Sequence, residues 1–67
     1  MTNQDFRTAL KNGKTKVIYT DFDGKKHIHT ILKAGKVQVN LFNNFLSKEY
    51  KITFKTHKDF KQYELAQ

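Results

Sequence analysis

Two periodicities divide the 67-residue chain. Near the start apolar residues recur at helical spacing, with Phe6, Ala9 and Leu10 at i, i+3 and i+4. Thr2 precedes this stripe and Asp5 stands three residues after it, the spacing of a capping box, while Gly13 sits where a left-handed terminating residue belongs. The pattern predicts one helix over residues 2–13. At about three turns it is too short to hold alone, so its stripe must lie on a sheet or on another helix.

From Lys14 onward the period is two. The run Thr15–Phe22 is rich in β-branched and aromatic residues, Asp23-Gly24 is a turn signal, and Lys25–Leu32 follows as a second strand. With Asp23-Gly24 as a two-residue type I′ turn, Phe22 pairs with Lys25, Asp21 with Lys26, Tyr19 with Ile28 and Val17 with Thr30. One face then carries Val17, Tyr19, Ile28 and Leu32. The other carries Lys16, Ile18, Thr20, Phe22, Lys25, His27, His29 and Ile31, which mixes cations with apolar groups. Hydrophobicity on both faces predicts a curled sheet, partly covered on its second side or closed into a barrel.

After the turn at Ala34-Gly35, Val37, Val39 and Leu41 alternate with Lys36, Gln38 and Asn40 as a third strand. Asn43-Asn44 breaks it, and Phe45–Glu49 reads either as a loop or as one helical turn. Tyr50, Ile52 and Phe54 then alternate with Lys51, Thr53 and Lys55 as a fourth strand. The tail has two readings. Thr56-His57-Lys58-Asp59 can open a second capped helix through Phe60, Tyr63 and Glu64. Alternatively, a turn at His57-Lys58 leads into a fifth strand with Tyr63 and Leu65 on one face. The strand is preferred here, because it would close a barrel and remove a free edge. No repeat, low-complexity stretch or linker interrupts the chain, so residues 1–67 are read as one domain.

The segment Phe6 to Gly13, the strand Lys16–Thr20, the turn Asp23-Gly24-Lys25 and a second strand together resemble the small phage and bacterial proteins with a WYL-like, Sm-type SH3 β-barrel fold. The resemblance covers about the first half of the chain. It implies an α+β fold in which a short N-terminal helix precedes a four- to five-stranded antiparallel SH3/Sm-like barrel. It also implies a phage or mobile-element origin and binding of nucleic acid or a ligand, and it implies no catalytic residue.

Composition narrows the classes of function. Thirteen Lys and Arg against six Asp and Glu give a formal charge of +7, which attracts nucleic acid, nucleotides, acidic proteins or anionic membranes. Arg7 is the single arginine, and lysine is a hydrated point charge, so backbone contact is favoured over bidentate reading of bases. The ordinary reading of any one lysine is a solvated charge that keeps a small protein soluble. With no Cys there is neither a disulfide scaffold nor a thiolate zinc site, which points to a cytoplasmic setting, that of the host cell if the chain is phage-encoded. Apolar runs reach only two or three residues, so neither a membrane span nor a signal h-region is expected.

His27 and His29 stand at i and i+2 on one strand, a spacing that metal sites use, but a third ligand is not evident and no metal or cofactor is expected. Ser47, the only serine, has no positioned base beside it, and the three glycines fall in separate turns rather than in a phosphate loop, so no catalytic residue is assigned. Asp21 is expected to pair with Lys26 across the hairpin. The candidate anion or nucleic-acid site is electrostatic: Lys16, Lys25, Lys26, His27 and His29 around Phe22, with Lys51 and Lys55 on the outward face of the fourth strand. Four to six phosphate contacts there would give a log–log salt slope of roughly −3 to −5. The competing class is a phage-type accessory protein that inhibits a host defence or transcription factor through exposed aromatics, for which a 67-residue chain offers enough surface. The same aromatics can also build a homodimer.

Overall fold

The computed structural model describes residues 1–53 and 60–66; the proposed turn at His57-Lys58, and Phe54 and Lys55 with it, lie outside the described residues. Helix α1 spans Asn3–Lys11 and is followed by strands β1 (Lys16–Thr20), β2 (Lys26–Ala34), β3 (Gln38–Asn43), β4 (Lys48–Thr53) and β5 (Tyr63–Leu65). The fold is α+β.

Both ends of the helix form as the sequence dictates. The Thr2 hydroxyl accepts from the Asp5 amide at 3.2 Å and the Asp5 carboxylate accepts from the Thr2 amide at 2.8 Å, so two of the donors that a helix start leaves unpaired are satisfied. These bonds hold the Asp5 carboxyl below its ordinary range, the Thr2 backbone amide being the main cause. After Asn12, Gly13 takes φ 76°, where a side chain would be strained. Phe6 and Ala9 are buried against β2 and β3, and with Val17, Ile31, Val39, Leu41 and Tyr63 they make the core.

The five strands form one antiparallel sheet in the order β4-β3-β2-β1-β5. The expected barrel closure is absent among the described residues, because β5 pairs with β1 through Val17↔Leu65 and Tyr19↔Tyr63 while β4 forms the opposite edge. The tail is therefore a strand at Tyr63–Leu65, but it extends the sheet rather than closing it. Segment 44–47 is a turn, not a helix, and β4 begins at Lys48.

The first hairpin departs from its expected register by one residue. Val17 pairs with His29, Ile18 with Ile28, Tyr19 with His27 and Thr20 with Lys26. The cause lies in the turn, which has three loop residues, Phe22, Asp23 and Gly24, instead of two. The Gly24 amide donates to the Asp21 carbonyl at 3.0 Å, and the Asp21 amide donates to the Lys25 carbonyl at 2.9 Å. Gly24 has φ 80°, matching a type I turn that ends in a glycine bulge. Because side chains alternate with period two, one residue of slip exchanges every side chain of β2 between faces. His29 and Ile31 are consequently buried with Val17 beneath the helix side, while Ile28 and Leu32 are 44% and 49% exposed. Leu32 is also the unpaired residue of a bulge, since Ile31 pairs with Leu41 and Lys33 with Asn40.

Gly24→Ala adds a side chain that meets no atom within 4 Å but forces a left-handed backbone. It is expected to lower stability by about 1 kcal/mol, and Gly24→Asn by less, as urea unfolding would show.

Candidate functional site

The turns 21–25 and 44–47 lie at the same end of the sheet, away from the helix start, where Asn3 donates to the Gly35 carbonyl. Each turn is tied by a side chain from the end of its strand. Asp21 Oδ1 accepts from the Asp23 and Lys25 amides, both at 2.9 Å, and Asn43 Oδ1 accepts from the Phe45 and Leu46 amides, both at 3.0 Å. These are Asx turns, in which a short polar side chain replaces a backbone partner.

Between the turns, on the inner face, lies a pocket of about 310 Å³ lined by Tyr19, Asp21, His27, His29, Asn43, Leu46, Tyr50 and Tyr63. Alternation brings these residues together. Tyr19 follows Val17, Tyr50 pairs with the inward Leu41, and Tyr63 pairs with Tyr19. The His29 imidazole is held between two phenols, 5.2 Å from Tyr19 at 30° and 5.6 Å from Tyr50 at 4°. Tyr63 meets it edge-on at 5.6 Å and continues into the core through Phe6 at 5.8 Å.

The protonation states follow from these contacts. Asp21 Oδ2 lies 2.9 Å from His27 Nε2, and this hydrogen bond is the first cause of an Asp21 pKa below the ordinary carboxylate value. An ionised carboxylate only accepts, so His27 Nε2 carries the proton. Burial pushes the Tyr63 phenol up to about 12, keeping its hydroxyl protonated, and that oxygen lies 3.5 Å from His29 Nδ1, a long hydrogen bond whose direction follows the imidazole tautomer. Burial, aided by the neighbouring His27, pushes the His29 pKa down and keeps that imidazole neutral. In the tautomer whose Nδ1 accepts from Tyr63, Nε2 holds the hydrogen, and this buried atom has no hydrogen-bond partner among the described residues.

A second, more open recess of about 810 Å³ flanks the same end, lined by Lys25, Lys26, His27, Ile28, Asn44 and Phe45. Phe22 and Phe45 at the two turns are 94% and 83% exposed. Lys48 caps the neighbouring edge with its ammonium 5.7 Å from the Tyr50 ring centroid.

The expected single face of Lys16, Phe22, Lys25, His27 and His29 therefore does not exist. The register places His27 and His29 inside, whereas Lys16 and Lys26 point outward with Ile18 and Ile28, and Phe22 and Lys25 belong to the turn. Lys16 donates to Thr30 Oγ1 at 2.6 Å. Lys26 approaches Glu64 at 3.9 Å instead of Asp21, whose partner is His27. Lys51 pairs with Asn40 on the outer side of β4, and Lys55 lies outside the described residues. What the structure does bring together is Lys25, Lys26 and His27. The tyrosine pocket had no counterpart in the sequence reading, although its signal was present: Asp21 and Gly24 occupy the first and fourth positions of a type I turn, which fixes the slipped register.

Comparison with protein-family models, with curated proteins and with solved structures finds no match for this chain. The described residues contain no group of three or more side chains arranged to hold a metal ion, and no helix long and apolar enough to cross a membrane.

His29 makes stability depend on pH. Its folded pKa lies below the ordinary 6.5, so its contribution is full above 6.5 and is lost as pH falls from there through the lower folded value, where the buried imidazole is forced to charge. The urea midpoint is expected to drop between neutral and mildly acidic pH, and His29→Leu to make that drop smaller.

Proposed function

We propose that this protein is a non-catalytic, cytoplasmic binding module that holds single-stranded nucleic acid at the loop end of its sheet. The observation that carries the reading is the recess in which Lys25, Lys26 and His27 stand beside Ile28 and the exposed ring of Phe45. Cations track a phosphate backbone, and a ring accepts any base by stacking, which is the combination that strand binders without sequence preference use. Phe22 offers a second exposed ring across the same end. Lysine as the dominant cation fits contact with phosphates rather than reading of base edges. The field of a chain with formal charge +7 favours encounter with such a polymer.

The second reading, inhibition of a host protein, draws on the same exposed Phe22, Phe45, Leu46 and Ile28, which together could anchor an apolar contact. Salt separates the two. In fluorescence polarisation with a labelled single-stranded oligonucleotide, affinity is expected to fall with a log–log slope of roughly −2 to −4, as three to five phosphate contacts require. Lys25→Ala and Lys26→Ala should each reduce that slope by about 0.7. Phe45→Ala should weaken binding roughly fivefold or more with the slope unchanged. A slope near zero, or no binding to any strand, sinks the reading and leaves the protein partner.

A further inference from the structure

The chain contains three tyrosines, and all three line the inner pocket. Thirteen residues of the chain are Lys or Arg, yet none of those among the described residues lines it. This division separates the pocket chemically from the basic recess beside it, with His27 alone common to both among the described residues. His29, 2% exposed, is one of the lining residues, and its buried Nε2, the donor when Nδ1 accepts from Tyr63, has no hydrogen-bond partner among the described residues. A native fold seldom leaves such a donor unmet, because the loss of its hydration is uncompensated.

The occupant can be narrowed by its chemistry. An anion finds no lysine or arginine among the described lining residues and meets the Asp21 carboxylate there. A metal ion finds too few free donors, since His27 Nε2 is engaged by Asp21 and His29 Nδ1 by Tyr63. A quaternary ammonium needs rings spaced around it, whereas Tyr19 and Tyr63 pack on one another at 4.9 Å and His29 fills the space between Tyr19 and Tyr50. The rings form a wall and leave no cage. A wall of phenols takes a flat ring by stacking, the neutral imidazole asks for an acceptor atom, and about 310 Å³ is at the small end of ligand pockets.

We propose that this pocket takes one uncharged nucleobase, stacked on the tyrosine wall with a ring nitrogen or carbonyl oxygen accepting from His29 Nε2–H. A modest opening of the stacked rings admits the base to that buried edge. The proposal rests on the strand-binding reading only for where the base comes from: a strand in the Lys25–Lys26 recess can turn one base past His27 into the pocket, and a free nucleoside offers the same chemistry without phosphate.

The test is NMR of the tyrosine and histidine ring protons during titration of the intact protein with nucleosides. Inorganic phosphate, choline and a short oligonucleotide serve as separate arms. Nucleosides are expected to move the Tyr19, Tyr50 and Tyr63 ring signals saturably and to the same extent at low and high salt. Binding should survive in Lys25→Ala/Lys26→Ala and in Tyr50→Phe, and should weaken roughly tenfold or more in Tyr50→Leu, which removes the stacking ring at the edge strand. Circular dichroism of each variant checks that it folds. Strand binding without any nucleoside response overturns the pocket proposal and leaves the strand reading standing. Nucleoside response without strand binding does the reverse. Saturation by choline in place of nucleosides identifies a cation cage and overturns the proposal.

Discussion

One carboxylate governs the arrangement of this sheet. Asp21 closes a three-residue loop through its backbone, accepts two further amides on Oδ1 and holds His27 on Oδ2. Each such bond is worth only about 1 kcal/mol net, but together they decide the register of β1 against β2. A two-residue turn would have turned Ile28 and Leu32 inward and His27 and His29 outward, a choice that apolar burial alone prefers. Turn chemistry overrides that preference. The result is an inner face that buries Val17, Ile31, Val39 and Leu41 under the helix and grades into histidine and tyrosine at the loop end. The slip exchanges Ile28 for Ile31 on the inner face and leaves Leu32 outside while His29 goes in, so the apolar loss is one leucine.

Local signals were easily read and relational ones were not. The helix, its capping box and its buried Phe6 and Ala9 follow from residues within four positions of one another, and so do the alternations of β3 and β4. The strand at Tyr63–Leu65 was legible as an alternation, but which neighbour it would pair with was not. The pocket was hidden for the same reason. Its members come from five separate segments, and whether His29 joins them depends on a single unit of register that Asp23-Gly24 appeared to fix the other way. Asp21 was the corrective signal, since an Asp three residues before a Gly marks a type I turn. Asn43 likewise reads in sequence as a strand breaker, yet it is the last inward residue of β3, 3% exposed, and holds the following turn from inside.

Charge and aromaticity, which sequence alone interleaves on one face, are sorted by the fold onto two. Among the described residues, lysines occupy the helix end, the outer face, the turns and the edges, while the tyrosines gather inside beside a neutral histidine. Among the described residues, no lysine or arginine contributes its charge to the pocket lining. The cations gather at the loop end, where Lys25 and Lys26 share a recess with the exposed Phe45 and Phe22 stands exposed in the neighbouring turn. A ligand with both a charged backbone and an uncharged ring would meet each part in a different compartment, separated by the two faces of one strand.

The bulge at Leu32 bears on how this chain can change length over evolutionary time. Everywhere else in β2, losing or gaining one residue would invert the faces of the strand on one side of the change. At Leu32 a deletion would leave Ile31 opposite Leu41 and bring Lys33 directly into step opposite Asn40, with Ala34 still facing Val39. The strand thus carries one removable residue, at the border between the part clamped by the Asp21 turn and the part seated under the helix. Indels in descendants of this sequence should accumulate there, because only there does the alternation of inward and outward residues survive them.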